Sequence, residues 1–186
     1  GVYGYALQIY CDFSGYSDMA IGIALLLGIR FNTNFDSPYQ SATITEFWRR
    51  WHISLSTWLK DYLYISLGGN RRGRVRTYVN LMLTMLLGGL WHGASGRFIL
   101  WGGLHGAALA IHKFVMNHFP SFRPTGKDMS PLRRIGGVVL TFHVVCFGWI
   151  FFRADTMATG WDVIRQIFTA FHPEVFSQFV VGYTEV

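Results

Sequence analysis

The sequence predicts an all-α, multi-pass transmembrane bundle with short, tilted and interfacial helices. Three observations carry that prediction. The 186 residues are 51% hydrophobic and 17% aromatic, with a mean hydropathy of +0.28. Charged residues make up 14%, against about 25% in an ordinary soluble domain. The apolar residues also gather in long runs, several of them with the ~20 residues that a helix needs to cross a hydrocarbon core. The net charge of +6 does not point to nucleic acid, because the basic residues flank apolar runs. Positive-inside topology and anionic headgroups account for them there. The expected partner is the lipid bilayer.

The elements follow in order. The chain opens mid-pattern at Gly1 without an initiator Met or a signal peptide, and is read as a segment of a longer protein. Residues 3–29 form a first apolar run that carries Asp12 and Asp18, which are expected to face a protein interior or water. After the polar connector FNTNFDSPYQSAT, Thr43 and Glu46 have the spacing of a capping box. The helix they start, EFWRRWHISLSTWLKDYLYISL, places Trp51, Leu55, Trp58 and Tyr62 on one face. Its charges suit an interface or a protein-lined groove. Gly68, Gly69 and Asn70 end it, and the basic loop RRGRVR follows at 71–76.

Residues 78–112 hold a single formal charge, Arg97. As one helix this run would be about 52 Å long, too long for one span, so GASG at 93–96 is read as the break of a hairpin. Residues 49–76 carry seven Lys and Arg against Asp61, and residues 113–134 carry five against Asp128. Both flanks of the hairpin therefore belong on one, cytoplasmic side. Residues 135–152 form a further span containing His143. In GWDVIRQIFTAF, residues 160–171, Trp161, Ile164, Ile167, Phe168 and Phe171 share one face of an amphipathic helix.

His92 and His105 lie within LLGGLWHGASGRFILWGGLHG. Ionisable groups inside a membrane are costly and usually mark a site. A histidine in a dry pocket stays neutral at pH 7 and can take a proton from a hydroxyl, which makes His92 a candidate general base. Small neighbours Gly93, Ala94 and Ser95 leave room for a substrate. The alternative is a polar plug between helices. By pattern alone His52 reads as an interfacial residue. His105 and His112 share a helix face, but no His, Cys or carboxylate spacing supports a metal site. Cys11 and Cys146 read as buried free thiols. Asp12, Ser14 and Asp18 read as polar contacts inside the bundle, with no GxSxG elbow to make Ser14 a nucleophile. The arginines of 71–76 suit an anionic lipid or an acidic carrier protein.

Four stretches carry a family resemblance: YCDFSGYSDMAIGIALLLGIRFNTNFDSPY, EFWRRWHISLSTWLKDYLYISLGGNRRG, RTYVNLMLTMLLGGLWHGAS and FILWGGLHG. Together they resemble the membrane-bound O-acyltransferase (MBOAT) family, in its bacterial alginate O-acetyltransferase-like branch. The core motifs span about residues 5–112, so that 1–186 reads as a partial catalytic domain. The resemblance implies transfer of an acyl group, acetyl in this branch, from a thioester to a hydroxyl of an exported polysaccharide or a periplasmic acyl-transfer partner. It implies His92 of LWHG as the catalytic residue and His52 of WRRWH as a second one, with Trp48, Trp51, Trp91 and Ser95 on the substrate side. No bound cofactor is implied. The co-substrate is an acyl thioester, acetyl-CoA or an acyl carrier protein, arriving from the cytoplasm of a bacterial inner-membrane protein, and periplasmic polysaccharide-acetylation proteins are the partners. The resemblance departs at Gly96–Arg97, where the family usually places a bulky aromatic. A proton-coupled transporter or a membrane scaffold subunit are the alternatives.

Overall fold

The computed structural model describes residues 1–122 and 130–170. Among them every regular element is helical: α1 (Val2–Leu26), α2 (Ile44–Arg50), α3 (Ile53–Trp58) running into a π-helical turn at Leu59–Tyr64, α4 (Arg74–His92), α5 (Gly96–His118), α6 (Pro131–Arg153) and α7 (Met157–Thr169). Two of them, α5 and α6, are long and apolar enough to cross a membrane. Arg123, Lys127, Asp128 and Phe171, used above for the loop charge and the last amphipathic face, lie outside the described residues.

Helix α1 packs on α6 and turns inward a face that includes Ala6, Ile9 and Phe13, the last against Phe35 and His52, while Ser17 and Ala24 are buried further along. The expectation that Asp12 and Asp18 turn inward is corrected: both are exposed, because they fall between the i, i+3/i+4 positions of that face. Cys11 is likewise exposed, whereas Cys146 is buried as expected.

The capping box forms with one change of partner. The Glu46 backbone N–H donates to Thr43 Oγ1 at 3.1 Å, while the Glu46 carboxylate accepts from the backbone of Ala42 rather than of Thr43, at 2.9 Å. The single long helix expected after it is broken. Trp51 is extended (φ −103°, ψ 127°), and His52 is left-handed (φ 44°, ψ 57°). A non-glycine residue at positive φ is uncommon and is held only by its surroundings. Here the connector supplies them. The Ile53 N–H donates to the Asn34 carbonyl at 3.0 Å, and Ser54 donates through both N–H and Oγ to Asn34 Oδ1. Asn34 in turn donates to Ser17 Oγ on α1, and the Asp36 N–H bonds the Arg50 carbonyl. The break separates Trp51, which is buried, from Trp58 and Tyr62, which are exposed, so these residues share no single face.

The hairpin expected at 78–112 is present as α4 and α5, turning at residues 93–95. Its two basic flanks meet at one end, where Lys113 Nζ donates to Asn70 Oδ1. Glycine sets its spacing. A Cβ on Gly89 would lie 2.2 Å from the Phe98 carbonyl oxygen, and one on Gly102 would lie 2.2 Å from that of Met85. The two backbones touch with no room for a side chain, the arrangement small residues permit between membrane helices. Helix α6 closes the bundle, capped at its start by Ser130. The exposed apolar residues of α7, Trp161, Ile167 and Phe168, suit the interfacial position expected for it.

Gly89→Ala and Gly102→Ala are each expected to lower stability by about 1–3 kcal/mol, as overpacking against backbone does. Gly103→Ala is the control, because its Cβ would make only an ordinary 3.5 Å contact with Leu86. Thermal unfolding in detergent reads the difference, and equal effects at positions 102 and 103 would count against the backbone contact.

Candidate functional site

Six helices converge on one small chamber. Its wall consists of Ile9 and Phe13 from α1, Trp48 from α2, Trp51 and His52 at the break, Leu55 from α3, His92 from the last turn of α4, Trp101 from α5, and Trp149 and Phe152 from α6. The free space is about 30 Å³, room for about two waters. The histidines of WRRWH and LWHG thus face the same cavity.

The His92 ring lies edge-on to Trp91, Trp101 and Phe152 at centroid distances of 5.0, 5.1 and 5.1 Å. His52 packs against Phe13 at 4.7 Å. Neither imidazole hydrogen-bonds another described residue, so both keep their nitrogens for a guest. Burial, aided by the neighbouring His92, pushes the His52 imidazole down to about 4, so it is uncharged at neutral pH.

Arg97 shapes the wall from behind. Its guanidinium donates to the carbonyls of Phe152 and of the C-cap residue Ala154, at the end of α6. A cation at a helix C-terminus satisfies groups that no intrahelical donor can reach. It thereby ties the first turn of α5 to the end of α6 and brings Phe152 beside His92. At the position where the resemblance departs, the local contacts are therefore structural.

Trp48 belongs to two cavities. On its far side lies a pocket of about 500 Å³ bounded by Thr45, Leu59, Tyr64, Met85, Leu109 and His112, among others, with Arg49, Lys60 and Lys113 also on its wall. This pocket reaches the end of the hairpin where Asn70 and Lys113 meet. The Trp48 indole N–H donates to His105 Nδ1 at 3.3 Å, and His105 is 1% exposed.

Of the residues singled out from sequence, His52, His92, Trp48 and Trp51 come together around the chamber. Trp91 and Ser95 are not part of its lining: Trp91 is 63% exposed, and Ser95 is the half-buried residue that precedes α5. Sequence reasoning missed Phe13, Trp101, Trp149 and Phe152. Trp101 stands nine residues after His92, and the hairpin reading could have placed it opposite. Trp149 and Phe152 carry no local signal. Among the described residues no group of His, Cys, Asp or Glu could hold a metal.

Comparison with known proteins yields a consistent set of relatives. Residues 2–154 match the model of MBOAT, the membrane-bound O-acyltransferase family. The chain is 53% identical over 170 residues to a Pseudomonas aeruginosa protein named "Probable alginate O-acetylase AlgI", covering 91% of this chain and 31% of that protein. It is 46% identical over 161 residues to "Peptidoglycan O-acetyltransferase" of Helicobacter pylori, covering 87% of this chain and 29% of that one. "Teichoic acid D-alanyltransferase" of Bacillus subtilis is 30% identical over 160 residues, covering 81% and 40%. The chain thus spans about a third of the length of the curated relatives it matches.

The low proton affinity of His52 has a measurable consequence for folding. Its folded value of about 4 lies below the ~6.5 of an unfolded histidine, so the unfolded chain takes up the proton first. The stability it confers is complete above about pH 6.5 and is lost as pH falls toward 4. His52→Asn, which tolerates the left-handed backbone, is expected to flatten the fall of the unfolding midpoint across that window. An unchanged slope would contradict a neutral, half-buried His52.

Proposed function

The chain belongs to the membrane-bound O-acyltransferase family, and from that premise we propose that it forms the acyl-transfer centre of a multi-pass protein of the bacterial inner membrane. The reaction moves an acetyl group from a thioester to a hydroxyl of an exported polysaccharide, directly or through a periplasmic partner. One observation carries the reading: His52 and His92, from motifs 40 positions apart, share one small aromatic-lined chamber. The chamber adjoins, across Trp48, a pocket with three cationic side chains on its wall.

The chemistry follows from that arrangement. An acyl-CoA or acyl carrier protein, both anionic, approaches from the cytoplasmic end, where Arg49, Lys60 and Lys113 attract its phosphates. Its thioester reaches the chamber past Trp48. The acceptor hydroxyl gives its proton to His92 as its oxygen attacks the thioester carbonyl. His52, neutral and able to donate one N–H, stabilises the oxyanion of the tetrahedral intermediate. When the C–S bond breaks, the imidazolium of His92 returns the proton to the departing sulfur, leaving an ester and a thiol. The aromatic wall, Trp51 and Trp101 included, keeps bulk water from the thioester. Trp91 and Ser95 would meet substrate only on the outer approach.

An acetyl group suits the chamber, whose free space of about 30 Å³ excludes a long chain. The relatives agree in direction: the two proteins with the higher identities quoted above are named for O-acetyl transfer, and the one at 30% for D-alanyl transfer.

Loss of a general base typically costs 10²–10⁴-fold in rate. His92→Ala is therefore expected to abolish polymer acetylation in cells whose own protein has been deleted, while the variant still inserts into the membrane. Wild-type acetylation by that variant would refute the assignment. Tolerance of both His92→Ala and His52→Ala would indicate a scaffold, and proton-coupled uptake without acetylation a transporter.

A further inference from the structure

We propose that His105 is a positioning residue which, by fixing the Trp48 indole between the large pocket and the histidine chamber, sets the size of the acyl group that reaches His92. The proposal rests on the acyltransferase reading for its chemistry, but its geometry stands apart from that reading.

His105 has little freedom to move. It is 1% exposed. Phe47 stacks over one side of its ring at 6.3 Å with an 18° tilt, and Trp101 lies 5.0 Å away. A Cβ at Gly148 of α6 would sit 2.8 Å from Nε2. The ring is wedged among α2, α5 and α6. Because Nδ1 accepts the Trp48 N–H at 3.3 Å, the neutral imidazole carries its proton on Nε2. That N–H has no partner among the described residues. Burying an unpaired donor is unfavourable, and an apolar residue would pack such a site without that penalty. What the histidine adds is an acceptor at one fixed point, and Trp48 is what meets it.

Trp48 is the common wall. It borders the chamber of about 30 Å³ and the pocket of about 500 Å³. Its ring packs edge-on against His105 at 5.2 Å and Trp101 at 5.8 Å. The indole is large and stiff, and a hydrogen bond to a clamped acceptor removes the rotation that would let a longer chain slide past. Steric limits on added methylenes typically discriminate by about 10–200-fold. The chamber then admits the carbonyl and a short acyl tail, and the wall rejects the rest.

The test uses membranes from cells making the protein, with acetyl and butyryl thioesters compared as kcat/KM. The wild type is expected to favour acetyl by about tenfold or more. Trp48→Ala should bring the ratio close to one. His105→Leu should lower it about tenfold, with the butyryl rate rising in absolute terms. His105→Asn, which keeps an acceptor near Nδ1, should retain the wild-type ratio. Trp48→Phe removes the indole N–H together with part of the ring, and adding His105→Leu to it should change nothing further, since the His105 hydrogen bond is already gone. Parallel loss of both rates in His105→Leu, or additive effects in the double variant, would mean a merely structural histidine.

A second readout does not need transfer at all. With Cys11→Ser in the background, Leu55→Cys places a thiol in the chamber. Benzyl methanethiosulfonate should modify it faster relative to the methyl reagent in Trp48→Ala and in Trp48→Phe than with the wall intact. An unchanged ratio overturns the proposal. Absence of transfer with every thioester, alongside the expected change in labelling, would instead overturn the acyltransferase reading and leave the wall standing.

Discussion

The contact between Gly89 and Gly102 governs the rest of the structure. Helices usually pack with their axes 8–10 Å apart, the distance being set by the side chains between them. At this point of α4 and α5 no side chain intervenes, and a shift in either backbone would be felt three residues further on. His92 follows Gly89 by that interval, and Trp101 immediately precedes Gly102. The backbone contact thus fixes the imidazole and the indole that packs edge-on to it. On the next turns of α5, His105 and Gly106 continue the same buried stripe, Gly106 against Met82 and Met85. In lipid, burying apolar surface gives no strong reason for helices to associate, so close packing must supply much of the attraction. The glycines serve stability and site geometry through the same contact.

A second constraint comes from the connector. A continuous helix through 44–64 would carry His52 away from the chamber or Trp51 out of the core, since adjacent helical residues point about 100° apart. The extended Trp51 and left-handed His52 resolve that conflict. Trp51 enters the aromatic core beside Phe47, Phe35 and Trp149, and His52 faces the chamber. Asn34 carries the cost of the unusual backbone by bonding the first residues of α3. A sparsely populated conformation held by specific hydrogen bonds at the edge of a cavity is a pattern associated with functional sites.

These two constraints explain what the sequence disclosed. The hairpin was legible because a 35-residue apolar run cannot be one span and GASG marks the turn. The sixth helix and the amphipathic seventh were legible from length and periodicity. The capping box located the start of α2 because its chemistry is local. The break at Trp51–His52 was not legible, since WRRWHISLS has good helical periodicity and contains no Gly or Pro. The force that breaks it comes from Asn34, eighteen positions upstream of His52. The inward placement expected of Asp12 and Asp18 failed for a related reason: composition says that a carboxylate is present on α1, and only packing says which way it faces. For the site, motif histidines were found one by one, but their meeting in one chamber depends on Trp149 and Phe152, which no local pattern ties to them.

The chamber also explains why a hydrophobic enclosure rather than a charged one surrounds the two imidazoles. A carboxylate beside His52 or His92 would favour the imidazolium and withdraw the free nitrogen that a proton acceptor needs. The described charges near the site are kept off it: Arg97 is turned onto the end of α6, and Arg50 is paired with Glu46 and Asp36. Phe13, Trp51, Trp101, Trp149 and Phe152 supply bulk and exclude water without adding charge. On the proposed reading the two histidines divide the labour, His92 moving the proton and His52 holding the oxyanion, because each nitrogen left without a protein partner is available to the reacting groups. Polarity is confined to the far side of Trp48, where cationic side chains line the larger pocket. On the proposed reading, the separation of the larger pocket with its cationic side chains from the histidine chamber falls on a single indole, which hydrogen-bonds a histidine buried from solvent.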